Sequence, residues 1–148
     1  MVTRRFHPKK FFTEEEKNRI VRAIRETETK TSGEIRIYVE RKTKGEIMTR
    51  AKKVFERLGM TRTKHCNGVL IYFSLADRSF AILGDQGLHT QVGDSFWKEA
   101  VAKIEEHFKR DDFAGGLEAG IHEIGARLRQ HFPRERGDLN ELPDELAE

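Results

Sequence analysis

At 148 residues the chain fits one domain with a real core, and apolar and charged residues each make up 36% of it. Its longest apolar run, Gly68-Val69-Leu70-Ile71-Tyr72-Phe73, is strand-sized and far short of the ~18–20 residues of a membrane-crossing helix. The net charge is +3, the single cysteine, Cys66, excludes an internal disulfide, and no apolar signal-like stretch follows the basic start; the expectation is a cytoplasmic protein.

Residues 1–11 read as a basic arm. Thr13 followed by Glu16 predicts a capping box, and Glu14, Glu15 and Glu16 suit the positive end of a helix dipole. The helix they open turns Ile20, Ile24 and Thr27/Glu28 inward and ends at Thr31-Ser32-Gly33. Glu34 to Glu40 alternates polar and apolar, the pattern of a strand with one well-buried face. A second helix is predicted from about Ile47 to Leu58, stopped by Gly59. Gly68 to Ser74 reads as a central strand covered on both faces, and Asp77-Arg78 as the turn of a hairpin into Ser79–Leu83. A third helix is expected over 94–109 and a fourth over 113–132, ended by Pro133. Residues 134–148 form an acidic tail with Leu139 and Leu142 as its apolar points. The first two strands are joined through a helix and are therefore expected to be parallel, with the third antiparallel to the second. Helices on both faces then make a three-layer α/β/α sandwich around a small mixed sheet.

That order places the hairpin turn at one end of the sheet. At the other, the starts of strands one and two and the exit of strand three gather Glu34, Asn67 and Asp85. Asp111 and Asp112 join them if the third helix packs back along the sheet. Calcium and magnesium favour such oxygen donors. Bland readings compete: Asp111 or Asp112 caps the fourth helix, Asp94 caps the third, and Gly84 and Gly87 mark a tight exit from a strand. Asp77-Arg78 reads as an ion pair fixing the hairpin. Gly115-Gly116 reads either as a helix opening that exposes N–H groups to an anion or, more blandly, as a place where helix and sheet pack closely. Cys66 beside His65 reads as a structural thiol. The six histidines show no metal-ligand spacing, and Gly84-Asp85-Gln86-Gly87 lacks the third glycine and the Lys-Ser/Thr of a phosphate loop.

Charge is unevenly placed: residues 1–66 carry 19 Lys/Arg against 9 Asp/Glu, and residues 67–148 carry 9 against 16. Attraction between the two halves within one fold is the preferred account. An anionic lipid surface or a membrane-associated protein partner is the other; nucleic acid is not expected, because no aromatic–basic interleaving is present.

Thr31-Ser32-Gly33-Glu34-Ile35-Arg36, Asn67-Gly68-Val69-Leu70-Ile71, Asp77-Arg78, Gly84-Asp85-Gln86-Gly87 and Phe113-Ala114-Gly115-Gly116-Leu117 occur in an order that resembles the TPM domain. This family is shared by thylakoid-lumen, photosystem-repair and bacterial envelope proteins. Phe132-Pro133 and Asp138-Leu139-Asn140-Glu141-Leu142-Pro143 are similar to its stand-alone bacterial branch, and the likeness spans roughly residues 12–145, with 12–133 as the domain. The resemblance implies an α/β/α sandwich holding a divalent metal, calcium or magnesium, between loops. Asp85, Asp111 and Asp112 would inherit the metal role, with Glu34, Asn67 and Asp94 as second-rank ligands. It also implies two alternatives for function, a non-catalytic module whose loops order on metal binding, or a metal-dependent phosphatase of low specificity. For the latter no Asp-x-Asp nucleophile or cysteine–arginine loop is present, which leaves only a metal-activated water.

Overall fold

A computed structural model describes residues 8–62 and 67–134. Its elements run α1 (Pro8–Phe11), α2 (Glu14–Glu28), β1 (Glu34–Glu40), α3 (Ile47–Arg57), β2 (Gly68–Ser74), β3 (Ser79–Gly84), α4 (Gln86–Val92), α5 (Lys98–Lys109) and α6 (Phe113–His131), with 3-10 turns at Met60–Arg62 and Asp94–Trp97. The sheet order is β1-β2-β3, with β1 and β2 parallel and β3 antiparallel to β2. The mixed sheet and its helices on both faces are those expected from the sequence.

Local chemistry accounts for most boundaries. Thr13 Oγ1 accepts the Glu16 N–H at 3.0 Å while Glu16 Oε1 accepts the Thr13 N–H at 3.0 Å, the reciprocal cap that starts α2. Gly59 takes φ +74° just past α3, a left-handed turn that a side chain would resist. α6 runs to His131, and a bridge between Thr31 and Pro133 ties its end beside β1.

The two sheet faces are covered unequally. On one, Ile35, Ile37, Val39, Val69, Ile71 and Phe73 pack under α2 and α6, with Ala100 of α5, in the main core. On the other, Leu70, Tyr72 and Ala81 meet only α3 and its following turn, through Ala51, Val54, Phe55 and Met60. The alternation of β1 explains the difference, since Tyr38 and Glu40 fall on the α3 side, where the cover is thin and both stay half-exposed.

Three features depart from the sequence reading. Phe11, within the segment read as an arm, is buried beside Phe12 and packs edge-on against Phe73. α4 was not foreseen; its seven residues carry only Leu88 as a buried anchor, too short a repeat to show periodicity. The helix expected over 94–109 is divided, with a 3-10 turn before α5 begins at Lys98. The acidic tail beyond 134, with Leu139 and Leu142, and the His65–Cys66 pair lie outside the described residues.

Candidate functional site

β2 is the ruler for the site. It is seven residues long, so its ends are separated by about 20 Å at ~3.3 Å per residue. Asp85 lies at the start of β2, its N–H donating to the Gly68 carbonyl at 2.8 Å. Glu34 pairs in register with Gly68, and Asn67 immediately precedes it. Asp111 and Asp112 lie at the opposite end. Arg78, in the β2–β3 turn, places Nη1 2.9 Å from Asp111 Oδ1. The six expected metal ligands therefore do not form one set. The reason is directional: α5 starts where β3 finishes and is 12 residues long, about 18 Å, so it delivers its C-terminus to the hairpin end.

At the hairpin end each carboxylate already has a structural task. Asp112 Oδ1 accepts the Gly115 N–H at 3.0 Å and caps α6, one of the bland readings. Asp111 (φ +58°) and Arg78 (φ +49°) both adopt left-handed backbone, and their ion pair clips the hairpin to the α5–α6 turn. The expected Asp77–Arg78 pair is thus replaced by an Arg78–Asp111 pair. Asp77 instead accepts from Ser74 Oγ at 2.8 Å and from the Thr43 N–H at 3.3 Å, and those bonds, Ser74 first, hold its carboxyl below the usual range. This end, expected to carry only a turn, is a tied corner.

Asp94 belongs to neither group. It is 95% exposed and sits 3.2 Å from His89 Nε2, and it does not cap α5, whose N-cap position is Trp97.

The strand-start end differs in character. Seven described polar or charged residues are buried, and six of them gather here: Thr27, Glu28, Thr31, Glu34, Asn67 and Asp85, against Ser74 alone at the hairpin end. Asp85 (8% exposed) caps α4 through the Gly87 N–H at 2.9 Å. Glu34 is 5% exposed. Glu28 Oε2 accepts the Ile35 N–H at 3.2 Å, Thr31 Oγ1 donates to the Phe132 carbonyl, and the Gly33 N–H donates to Thr31 Oγ1. Asn67, 1% exposed, donates through Nδ2 to Ser32 Oγ at 3.3 Å, while its Oδ1 accepts no hydrogen bond among the described residues. A buried acceptor with nothing to accept costs about 1–3 kcal/mol, and in native structures such an atom commonly faces an ion or a water. The carboxylates themselves do not converge: among the described residues no three His, Cys, Asp or Glu side chains group closely enough to hold an ion. Amide, hydroxyl and carbonyl oxygens would have to complete any coordination sphere here, as calcium's six to eight oxygen ligands permit.

Gly84 is explained by packing. A Cβ there would lie 2.7 Å from the Trp97 indole, so glycine lets that ring seat against the strand exit. Gly116 likewise makes room for the Phe108 ring of α5, a helix–helix contact where the sequence reading expected helix against sheet. Glu28 was missed as a site residue. Its signal was a carboxylate at an inward position of the α2 stripe, where an apolar side chain belongs.

The family model of the TPM domain matches residues 6–127, and the chain belongs to that family. The chain is similar to the BA42 protein of the psychrophilic bacterium Bizionia argentinensis, solved by NMR, at 40% identity over 95% of this chain and 97% of that one, with a TM-score of 0.90. Two other NMR structures share the fold at TM-score 0.64. One is an N-terminal domain from P. gingivalis, at 20% identity over 82% of this chain and 78% of that one. The other is the N-terminal domain of the cg2496 protein of Corynebacterium glutamicum, at 14% identity over 93% and 80%. No curated protein matches significantly.

Proposed function

We propose that this TPM domain is a non-catalytic module that binds a divalent cation, calcium or magnesium, at the strand-start end of its sheet, with the metal ordering the loops there. The observation that carries the reading is the burial of Glu28, Glu34, Asp85 and Asn67 at one end, with Asn67 Oδ1 lacking a donor among the described residues. Glu34, Asn67 and Asp85 would hold the ion. Asp111 and Asp112 leave the ligand set because they lie at the opposite end of β2, and exposed Asp94 leaves it with them.

Burial also weighs against the phosphatase alternative. A catalytic metal needs an open coordination position and room for the phosphate, and carboxylates 5–8% exposed leave a substrate little access.

The test is thermal unfolding with and without metal. At ten times the Kd, calcium should stabilise the native state by about 1.4 kcal/mol, a rise of roughly 3–5 °C for a chain of this size. Asn67→Ala should abolish the rise, as should Asp85→Asn, which keeps the helix cap. A wild-type Tm that does not move with millimolar calcium or magnesium contradicts the proposal.

A further inference from the structure

The uneven charge of the sequence becomes a spatial division in the fold. The α3 layer, residues 41–62, carries eight Lys/Arg against only Glu46 and Glu56. On the other side of the sheet, residues 14–28 and 98–131 together carry ten Lys/Arg against twelve Asp/Glu. Attraction between the two halves does not neutralise this face. Arg19–Glu118 joins the halves between α2 and α6, and Lys103–Glu123 ties α5 to α6, both on the opposite layer. Arg50 is held by Glu40 with bonds of 3.0 and 2.8 Å, and Arg57 donates to the Tyr38 hydroxyl at 2.6 Å. Arg41, Lys42, Lys44, Lys52, Lys53 and Arg62 are all exposed, and among the described residues no second-half carboxylate lies within ion-pair distance of them. Asp77 and Glu46 feel Lys42 and Lys52 only at longer range.

We infer that this face docks on an anionic lipid bilayer. Charge complementarity selects an anionic partner, and two features select a bilayer over a nucleic acid. Met48, 36% exposed in the first turn of α3, is the one large exposed hydrophobic among the described residues, and it lies one helical turn before Lys52 on the same side of α3. An apolar side chain there gains from entering a lipid interface and gains nothing from a phosphate backbone. The aromatics on this face, Tyr38 and Tyr72, are stacked on each other at 6.2 Å with 10° between planes, so their facing ring surfaces are not open to bases. Each cation brought within a Debye length of an anionic leaflet is worth about fivefold in partitioning, so several acting together bind reversibly and with strong salt dependence.

The test is sedimentation of the full chain with vesicles of equal parts phosphatidylcholine and phosphatidylserine, in low salt with a chelator so that metal bridging plays no part. The wild type should pellet with these vesicles, be released by high salt, and stay in solution with phosphatidylcholine alone. Lys52→Glu/Lys53→Glu should lower partitioning more than tenfold. Lys98→Glu/Arg129→Glu, the same charge change on the opposite layer, should leave most of it intact. Met48→Ser should weaken vesicle binding without changing affinity for duplex DNA. Absence of pelleting by the wild type overturns the inference, as do equal losses in the two double variants. Duplex DNA that binds the face more tightly than vesicles and displaces them reassigns it to nucleic acid.

Discussion

Glu40 and Tyr72 show how single residues at the thinly covered face of the sheet are tuned. Burial raises the Glu40 carboxyl, but hydrogen bonds from Arg50 and Tyr72 outweigh it and leave the group below its ordinary value. Its contribution to stability is present at neutral pH and is lost as pH falls through the lowered pKa. Tyr72 moves the other way: burial, then its bond to Glu40, push the phenol up to about 12. The neutral phenol stabilises the fold below its unfolded value near 10, and that contribution disappears as pH rises from there to about 12. With Tyr38→Phe removing the only other tyrosine, alkaline titration of tyrosinate absorbance should show one transition near pH 12. A midpoint near the ordinary value of about 10 would mean that the Tyr72 hydroxyl is neither buried nor bonded to Glu40 in solution.

Among elements, the α2–α6 contact is the sharpest constraint. Gly125 allows it: a Cβ there would stand 2.2 Å from Thr27 Cγ2 and 2.8 Å from its hydroxyl. Thr27 is β-branched and cannot rotate away cheaply, so α2 must shift. Gly125→Ala should cost about 1–3 kcal/mol, the usual range for overpacking, and lower Tm by several degrees in calorimetry. An unchanged Tm would mean that the two helices are not in this register. Most elements were legible because their signals are local: the Thr13–Glu16 box, the alternation of Glu34–Glu40, the uninterrupted apolar run of β2. α4 was not, because its seven residues hold one apolar anchor and its cap, Asp85, reads equally well as a metal ligand. The burial of Phe11 was hidden by the basic residues around it.

Across the whole molecule, what sequence reasoning missed was direction. It brought the starts of β1 and β2 and the exit of β3 to one end correctly, because strand order and parallel pairing fix that. It assigned Asp111 and Asp112 to the same end, although a 12-residue helix leaving that end spans the sheet. The polar cluster at the strand-start end was legible in Glu34, Asn67 and Asp85 but not in Glu28 or Thr31, which spacing presents as parts of a helix stripe and a loop. The uneven charge was legible, but its meaning required knowing that residues 41–62 form a layer alone. The central claim is that a divalent cation binds at the strand-start end. Heteronuclear NMR during titration with calcium, then magnesium, tests it most directly. The account predicts that the largest backbone shifts fall at Glu34, Asn67, Gly68 and Asp85, with little change at Asp111 and Asp112. Shifts centred on Asp77, Asp111 and Asp112, or none at all, would contradict it.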